Sequence, residues 1–143
     1  MIEGYEKSAT IVQCLLKYWT KALNECDGPD ACLRLRSVFA EGEGAIDVRD
    51  DAFGHIITAT DFDDYEAKWE AATVGIDTMK FRIVGEPTVK IEGDRADISF
   101  ELAGEGTLDG GAPVDPAPRW RGAHRWLKID GEWRIVRERL AAI

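Results

Sequence analysis

Arginine is the residue type whose number and placement most suggest chemistry in this chain. Arg119, Arg121, Arg125, Arg134, Arg137 and Arg139 crowd the C-terminal end of the 143 residues, whereas Asp47, Asp50, Asp51, Asp61, Asp63 and Asp64 lie in the first half. A guanidinium grips a carboxylate or another oxyanion through paired hydrogen bonds, so these arginines either hold an anionic ligand or neutralise the chain's own acids. Only two histidines, His55 and His124, could serve as imidazole ligands of a metal. The three cysteines, Cys14, Cys26 and Cys32, are odd in number and lack Cys-x-x-Cys spacing, so no structural zinc is expected. They read as buried, reduced thiols, with a Cys26 to Cys32 bridge as the alternative. No Gly-x-Gly-x-x-Gly, P-loop or metal-ligand cluster occurs, so no cofactor and no metal are expected.

Composition narrows the setting. The formal net charge is −9, and residues 1–78 carry seven basic and sixteen acidic side chains against eleven of each in residues 79–143. Such a chain repels a phosphate backbone, and no basic stripe interleaved with aromatics offsets that, so nucleic acid is not an expected partner. No run approaches the ~18 apolar residues of a membrane span, and the first residues lack a signal peptide's basic flank and apolar core. The expectation is a soluble, cytoplasmic protein folding as one domain over residues 1–143.

The elements that must position these residues can be read from periodicity. From Ser8 to about Cys26, Ile11, Leu15, Tyr18, Trp19 and Ala22 recur as on one face of a helix, and Asp27-Gly28-Pro29 stops it. A shorter helix is expected from Asp30 to Phe39. Ala45 to Arg49 alternates as a short strand and leads into an acidic turn at Asp50-Asp51. A third helix, capped by Thr60 and running to Ala72, carries Phe62, Tyr65, Trp69 and Ala72 on one face. Strand spacing follows at Met79 to Ile83, Val89 to Ile91, Ala96 to Leu102, Arg119 to Ile129 and Trp133 to Leu140, with Gly110 to Pro118 as a long loop. Helices first and meandering strands afterwards give the α+β class, three N-terminal helices packed on one face of a curved antiparallel sheet.

That order resembles the nuclear transport factor 2-like superfamily, and within it the SnoaL-like and ketosteroid-isomerase-like domains. The most specific match is the ending from Arg121 through His124, Trp126 and Asp130-Gly-Glu-Trp133, similar to the last two strands of SnoaL-like domains; Val48-Arg49-Asp50 is similar to the segment that carries the isomerase aspartate. The resemblance implies a cone-shaped, cystatin-like fold around an apolar pocket, and a homodimer through the outer face of the sheet. It makes Asp50 the candidate general base and Tyr18, about one residue out of register, the candidate oxyanion donor, with Trp19 at the nearest match. Arg125 stands where the isomerases carry a second acid, so steroid isomerisation by their mechanism is not expected. For Asp50 the residues also allow a plainer reading, a solvated turn carboxylate or an ion pair with a C-terminal arginine.

Which side chains face the pocket depends on the turn at Ile129-Asp130-Gly131, a two-residue loop or a bulged type I turn. The bulged form is favoured because it sets Lys128 opposite Glu132. Arg121, Arg125, Arg137 and Arg139 then share a face with Leu127, Trp133 and Ile135, the last three as pocket floor and the arginines toward the mouth. Either they grip a ligand's anion, or Asp47, Asp50 and Glu101 or Glu105 neutralise them. His55 reads as a residue of the loop before the third helix, at the pocket mouth or on the surface. Trp19, Trp69 and Tyr65 serve as core or, for the tryptophans, as a stacking platform. His124, Trp120 and Trp126 fall on the outer face, where two exposed tryptophans argue for the dimer.

Two functions compete. One is a small-molecule-binding domain, an isomerase, cyclase or hydratase moving a proton on an apolar compound with a carboxylate or enolisable carbonyl. The other is a non-catalytic dimerisation or protein-binding module whose pocket is closed.

Overall fold

The computed structural model describes residues 15–25 and 32–143. Residues 15–24 form helix α1, Cys32–Val38 helix α2 and Phe62–Ala72 helix α3. The strands are β1 (Asp47–Ala52), β2 (His55–Ala59), β3 (Ile76–Glu92), β4 (Arg95–Leu108), β5 (Arg119–Ile129) and β6 (Glu132–Ala142), in one sheet of order β2-β1-β6-β5-β4-β3. The start of the first helix, its Asp27-Gly28-Pro29 stop, Cys14, Cys26 and the Cys32 side chain lie outside the described residues. Among the described residues, no helix is long and apolar enough to cross a membrane.

Three expectations about the elements need correction. The sheet is mixed, because β1 runs parallel to β6 while every other pair is antiparallel. The helices are not all N-terminal: α3 follows a β1–β2 hairpin, of which the residue pattern predicts only a strand ending at Arg49, followed by turn and loop. Asp50 and Asp51 continue β1, and the chain reverses at Phe53-Gly54, both at positive φ (53° and 89°), in the two-residue geometry that matches strand twist. A phenylalanine rarely adopts that conformation; here its ring is held against Trp120 and Trp69, with centroids 5.6 and 6.3 Å away. The cap of α3 is Asp61 rather than Thr60, its carboxylate accepting from the Asp64 amide at 2.9 Å.

The hairpin between β5 and β6 decides what faces inward. Asp130-Gly131 makes a two-residue turn, with φ of 51° and 82°, pairing Ile129 with Glu132 and Lys128 with Trp133. The bulged turn expected from the Lys128 and Glu132 charges is not formed. Such a pair contributes a few tenths of a kcal/mol, whereas burying one tryptophan, 150–250 Å² of surface at ~25 cal/mol/Å², contributes up to about 4–6 kcal/mol. The observed register buries both Trp120 and Trp126. A bulge further along leaves Val136 as an extra residue, so that Ile135 pairs with Trp126 but Arg137 pairs with Arg125. That single insertion turns Glu138 and Leu140 inward and Arg137 and Arg139 outward.

The inner face thus carries Ile98, Phe100 and Leu102 from β4, Trp120, His124 and Trp126 from β5, Ile135, Glu138 and Leu140 from β6, and Val48 and Asp50 from β1. Helix α1 adds Leu16, Trp19 and Ala22, and α2 and α3 add Leu35, Val38, Phe62 and Tyr65 to the same apolar cluster. Gly122 is glycine for a packing reason: a Cβ there would come within 2.3 Å of the Phe100 ring. Asn24 fastens α1 to edge strand β3 by exchanging two hydrogen bonds with the Phe81 backbone, at 2.6 and 2.9 Å.

Candidate functional site

Four polar side chains meet inside this apolar shell. Asp50 (β1) and Glu138 (β6) are 0% exposed, His124 (β5) and Tyr65 (α3) 2%. The Tyr65 hydroxyl donates to Glu138 Oε2 at 2.8 Å, and His124 Nε2 lies 2.8 Å from Glu138 Oε1. Because an ionised carboxylate only accepts, His124 donates through Nε2, leaving Nδ1 as the nitrogen available for other work. The register puts Asp50 beside Leu140 and Val48 beside Glu138 across the parallel β1–β6 pair, so the two carboxyls are neighbours on one face.

Their protonation differs for identifiable reasons. Burial pushes Asp50 well above the usual carboxylate range and the Glu138 charge pushes it further, outweighing the opposing Trp69 indole and Leu140 amide. Glu138 is also disfavoured as an anion by burial, yet the groups around it, Asp50, His124 and Tyr65, together hold it below its usual value. Burial and the two carboxyls push the Tyr65 phenol well up, so it stays neutral. The site therefore pairs a protonated acid with a hydrogen-bonded carboxylate, a division of one proton between two adjacent carboxyls.

An aromatic wall surrounds the pair. The Trp19 ring meets His124 edge-on with centroids 4.5 Å apart, Phe100 lies 4.9 Å from His124, and Trp126 6.0 Å. Three further buried polar atoms in this region, His124 Nδ1 and the indole nitrogens of Trp19 and Trp126, have no hydrogen-bond partner among the described residues, whereas the Asp50 carboxyl has the Glu138 carboxylate, the Trp69 indole and the Leu140 amide around it. An unsatisfied buried polar group costs about 1–3 kcal/mol, which makes His124 Nδ1 the polar atom of this cluster with most to gain from a further partner. A groove of about 680 Å³ runs between α1 and β3, lined by Leu16, Thr20, Phe81 and Ile83 among others. Trp19, on the same helix as Leu16 and Thr20, is fully buried against His124. Among the described residues, no three His, Cys, Asp or Glu side chains converge as a metal site requires.

The residues singled out from sequence are dispersed. Asp50 lies at the centre, neither in a solvated turn nor paired with an arginine, because β1 extends past it. Trp69 and Trp19 border it. Tyr18 is not in the interior: it is 48% exposed, its hydroxyl 3.3 Å from Ser37 Oγ. His55 begins β2, exposed, rather than lying in a loop. Trp133 is half-buried against the core at the hairpin end, and Ile135 faces inward, but Leu127 points outward.

Arg121, Arg125, Arg137 and Arg139 all lie on the outer face, through the register described above. Arg125 bonds Asp97 and Arg139 bonds Asp47, each at 2.8 Å, the latter being the pairing of the chain's two halves that the charge distribution suggested. Trp120 and Trp126 face the core, so they provide no reason for a second copy. His124, Glu138 and Tyr65 were not recognised as site residues. The signals available were the Asp-Gly dipeptide, which favours a two-residue hairpin turn, and a phenol on a buried helix face, which must find a partner.

No family profile matches the chain, and no curated protein matches it. Solved structures do. A nuclear transport factor 2-like superfamily protein from Salmonella enterica serovar Typhimurium superposes with a TM-score of 0.76 over 96% of this chain and 92% of that one, at 11% identity. A scytalone dehydratase-like protein from Novosphingobium aromaticivorans gives 0.71 over 100% and 89%, at 14% identity. A protein of the same superfamily from Pseudomonas putida gives 0.70 over 96% and 88%, at 18% identity. The packing of these helices on one curved sheet is thus the cystatin-like fold that nuclear transport factor 2-like proteins share.

Proposed function

We propose that the chain binds a neutral, largely apolar small molecule against the Asp50, Glu138, His124 and Tyr65 cluster and moves a proton within it, as an isomerase, cyclase or hydratase. The observation that carries this reading is the fully buried Asp50 carboxyl, held protonated beside the Glu138 carboxylate inside an aromatic shell. Such a group is an acid able to hydrogen-bond a substrate carbonyl or hydroxyl oxygen and give it a proton. His124 Nδ1 is the matching base: it takes a proton from carbon while Asp50 protonates oxygen, yielding an enol. Glu138, held by Tyr65, fixes the imidazole and steadies the charge it gains. A dehydratase-like protein among the structural neighbours is in keeping with this chemistry.

The arginines' outward facing removes the support for an anionic substrate, and the Glu138 charge opposes one. The substrate enters by the groove between α1 and β3. The test is exchange of α-protons of flat cyclic ketones in D2O, followed by proton NMR, beside a thermal-shift comparison of ketones with hydrophobic carboxylates. Ketone-selective stabilisation with exchange lost in Asp50→Asn is expected; exchange that persists in Asp50→Asn, or stabilisation by carboxylates alone, overturns the reading.

A further inference from the structure

On the opposite side of the sheet, β1, β6 and β5 build a patch of arginines. Their outward positions within 47–49, 121–125 and 137–141 hold Arg49, Arg121, Arg125, Arg137 and Arg139, two alanines, and one acid, Asp47. Arg125 stands directly opposite Arg137, and Arg49 directly opposite Arg139. Like charges so opposed destabilise a sheet, and a chain with 27 acidic residues has ample means to neutralise them. It does so for two, through the Asp97 and Asp47 pairs. Arg49, Arg121 and Arg137 are exposed and, among the described residues, have no carboxylate within 4.0 Å: Asp47, directly across from Arg137, is bonded to Arg139, and Glu101, directly across from Arg121, is bonded to Arg119. Ala123 and Ala141 stand directly across from Arg139 and Arg121, so the residues interleaved with the arginines on β5 and β6 are small.

We propose that this face docks an acidic polypeptide segment of a partner protein, whose carboxylates pair with Arg49, Arg121 and Arg137. Charge complementarity selects that occupant. A second copy could bring only Asp47, Asp97 and Glu101 of this face to the patch, and each of these already bonds an arginine of its own chain. A nucleic acid or an anionic bilayer extends beyond the patch and meets the rest of a chain whose net charge is −9. A short acidic segment touches only the patch, and guanidinium–carboxylate pairing is the strong form of such contacts.

The experiment is fluorescence anisotropy of a labelled oligoglutamate peptide with the full chain at low ionic strength. It is repeated with Arg49→Ala, Arg121→Ala, Arg137→Ala and the triple variant. Saturable binding that weakens about two- to fivefold for each exposed arginine removed, with an unchanged thermal midpoint, is the expected result. Absence of saturable binding, affinity untouched by the triple substitution, or equal affinity for a single-stranded oligonucleotide or phosphatidylserine vesicles overturns the proposal. So does sedimentation showing a dimer that the triple variant dissociates, because the occupant is then a second copy.

Discussion

Replacing Asp50 by asparagine keeps the shape of the side chain and removes its titration, which makes the buried acid measurable through stability. Asp50 has a folded pKa above its unfolded value, so as pH rises past about 3.9 the unfolded chain releases a proton that the fold retains. Folding stability then falls by about 1.4 kcal/mol per pH unit until Asp50 ionises in the fold as well. Asp50→Asn lacks this slope. The stability of the variant relative to the wild type therefore climbs by about 1.4 kcal/mol for each pH unit above about 3.9 over which the fold keeps the proton.

Glu138 does not confuse the measurement. Its folded pKa is lowered, so its contribution is complete above about pH 4.3 and is lost only as pH falls through the folded value. An asparagine amide can also still donate to it. Urea unfolding of both proteins at steps of pH, with m-values checked for constancy, gives the difference directly. Parallel curves, or a difference that shrinks as pH rises, would refute the assignment of Asp50 as a retained acid.

Tyr65→Phe removes one donor to a buried carboxylate and is expected to cost about 1.5–3 kcal/mol, with acid unfolding moved to higher pH because Glu138 protonates more easily; urea melts and an acid titration monitored by circular dichroism check both. Trp19→Ala is expected to cost about 3–5 kcal/mol and to leave a cavity beside His124, so a small aromatic such as indole should raise the variant's thermal midpoint and leave the wild type unmoved. Gly122→Ala drives a methyl into the Phe100 ring and is expected to cost about 1–3 kcal/mol. Near-ultraviolet circular dichroism should register the shifted aromatics around His124 even where the far-ultraviolet spectrum is unchanged.

Much of the architecture was legible. The 3.6-residue stripe around Trp19, the Phe62, Tyr65 and Trp69 face of α3, and the period-2 runs of β4 to β6 are local patterns, and local patterns survive into the fold. The β1–β2 hairpin was not legible as such, because its turn uses Phe53, a residue type that turns seldom admit. Of the site, Asp50 stood out only through its similarity to a family segment. Tyr65 was visible as core but not as a hydrogen-bond donor, since its partner lies 73 residues away.

Glu138 shows where sequence reasoning stops. It sits between Arg137 and Arg139, and alternation dictates that either the two arginines or the glutamate face the core. The sequence by itself determined the α+β class, the order of most elements, the acidic first half and the existence of that choice. Tertiary structure made it, through the two-residue turn at Asp130-Gly131 and the one-residue bulge at Val136. Because side chains on a strand alternate with a period of two, a single residue of slip exchanges the whole inner set for the outer one. Packing Trp120 and Trp126 into the core outweighs the weak charge pair that favoured the other register. Only with that settled do a tyrosine, a histidine and two carboxyls from four separate elements come together, while the arginines are left facing outward.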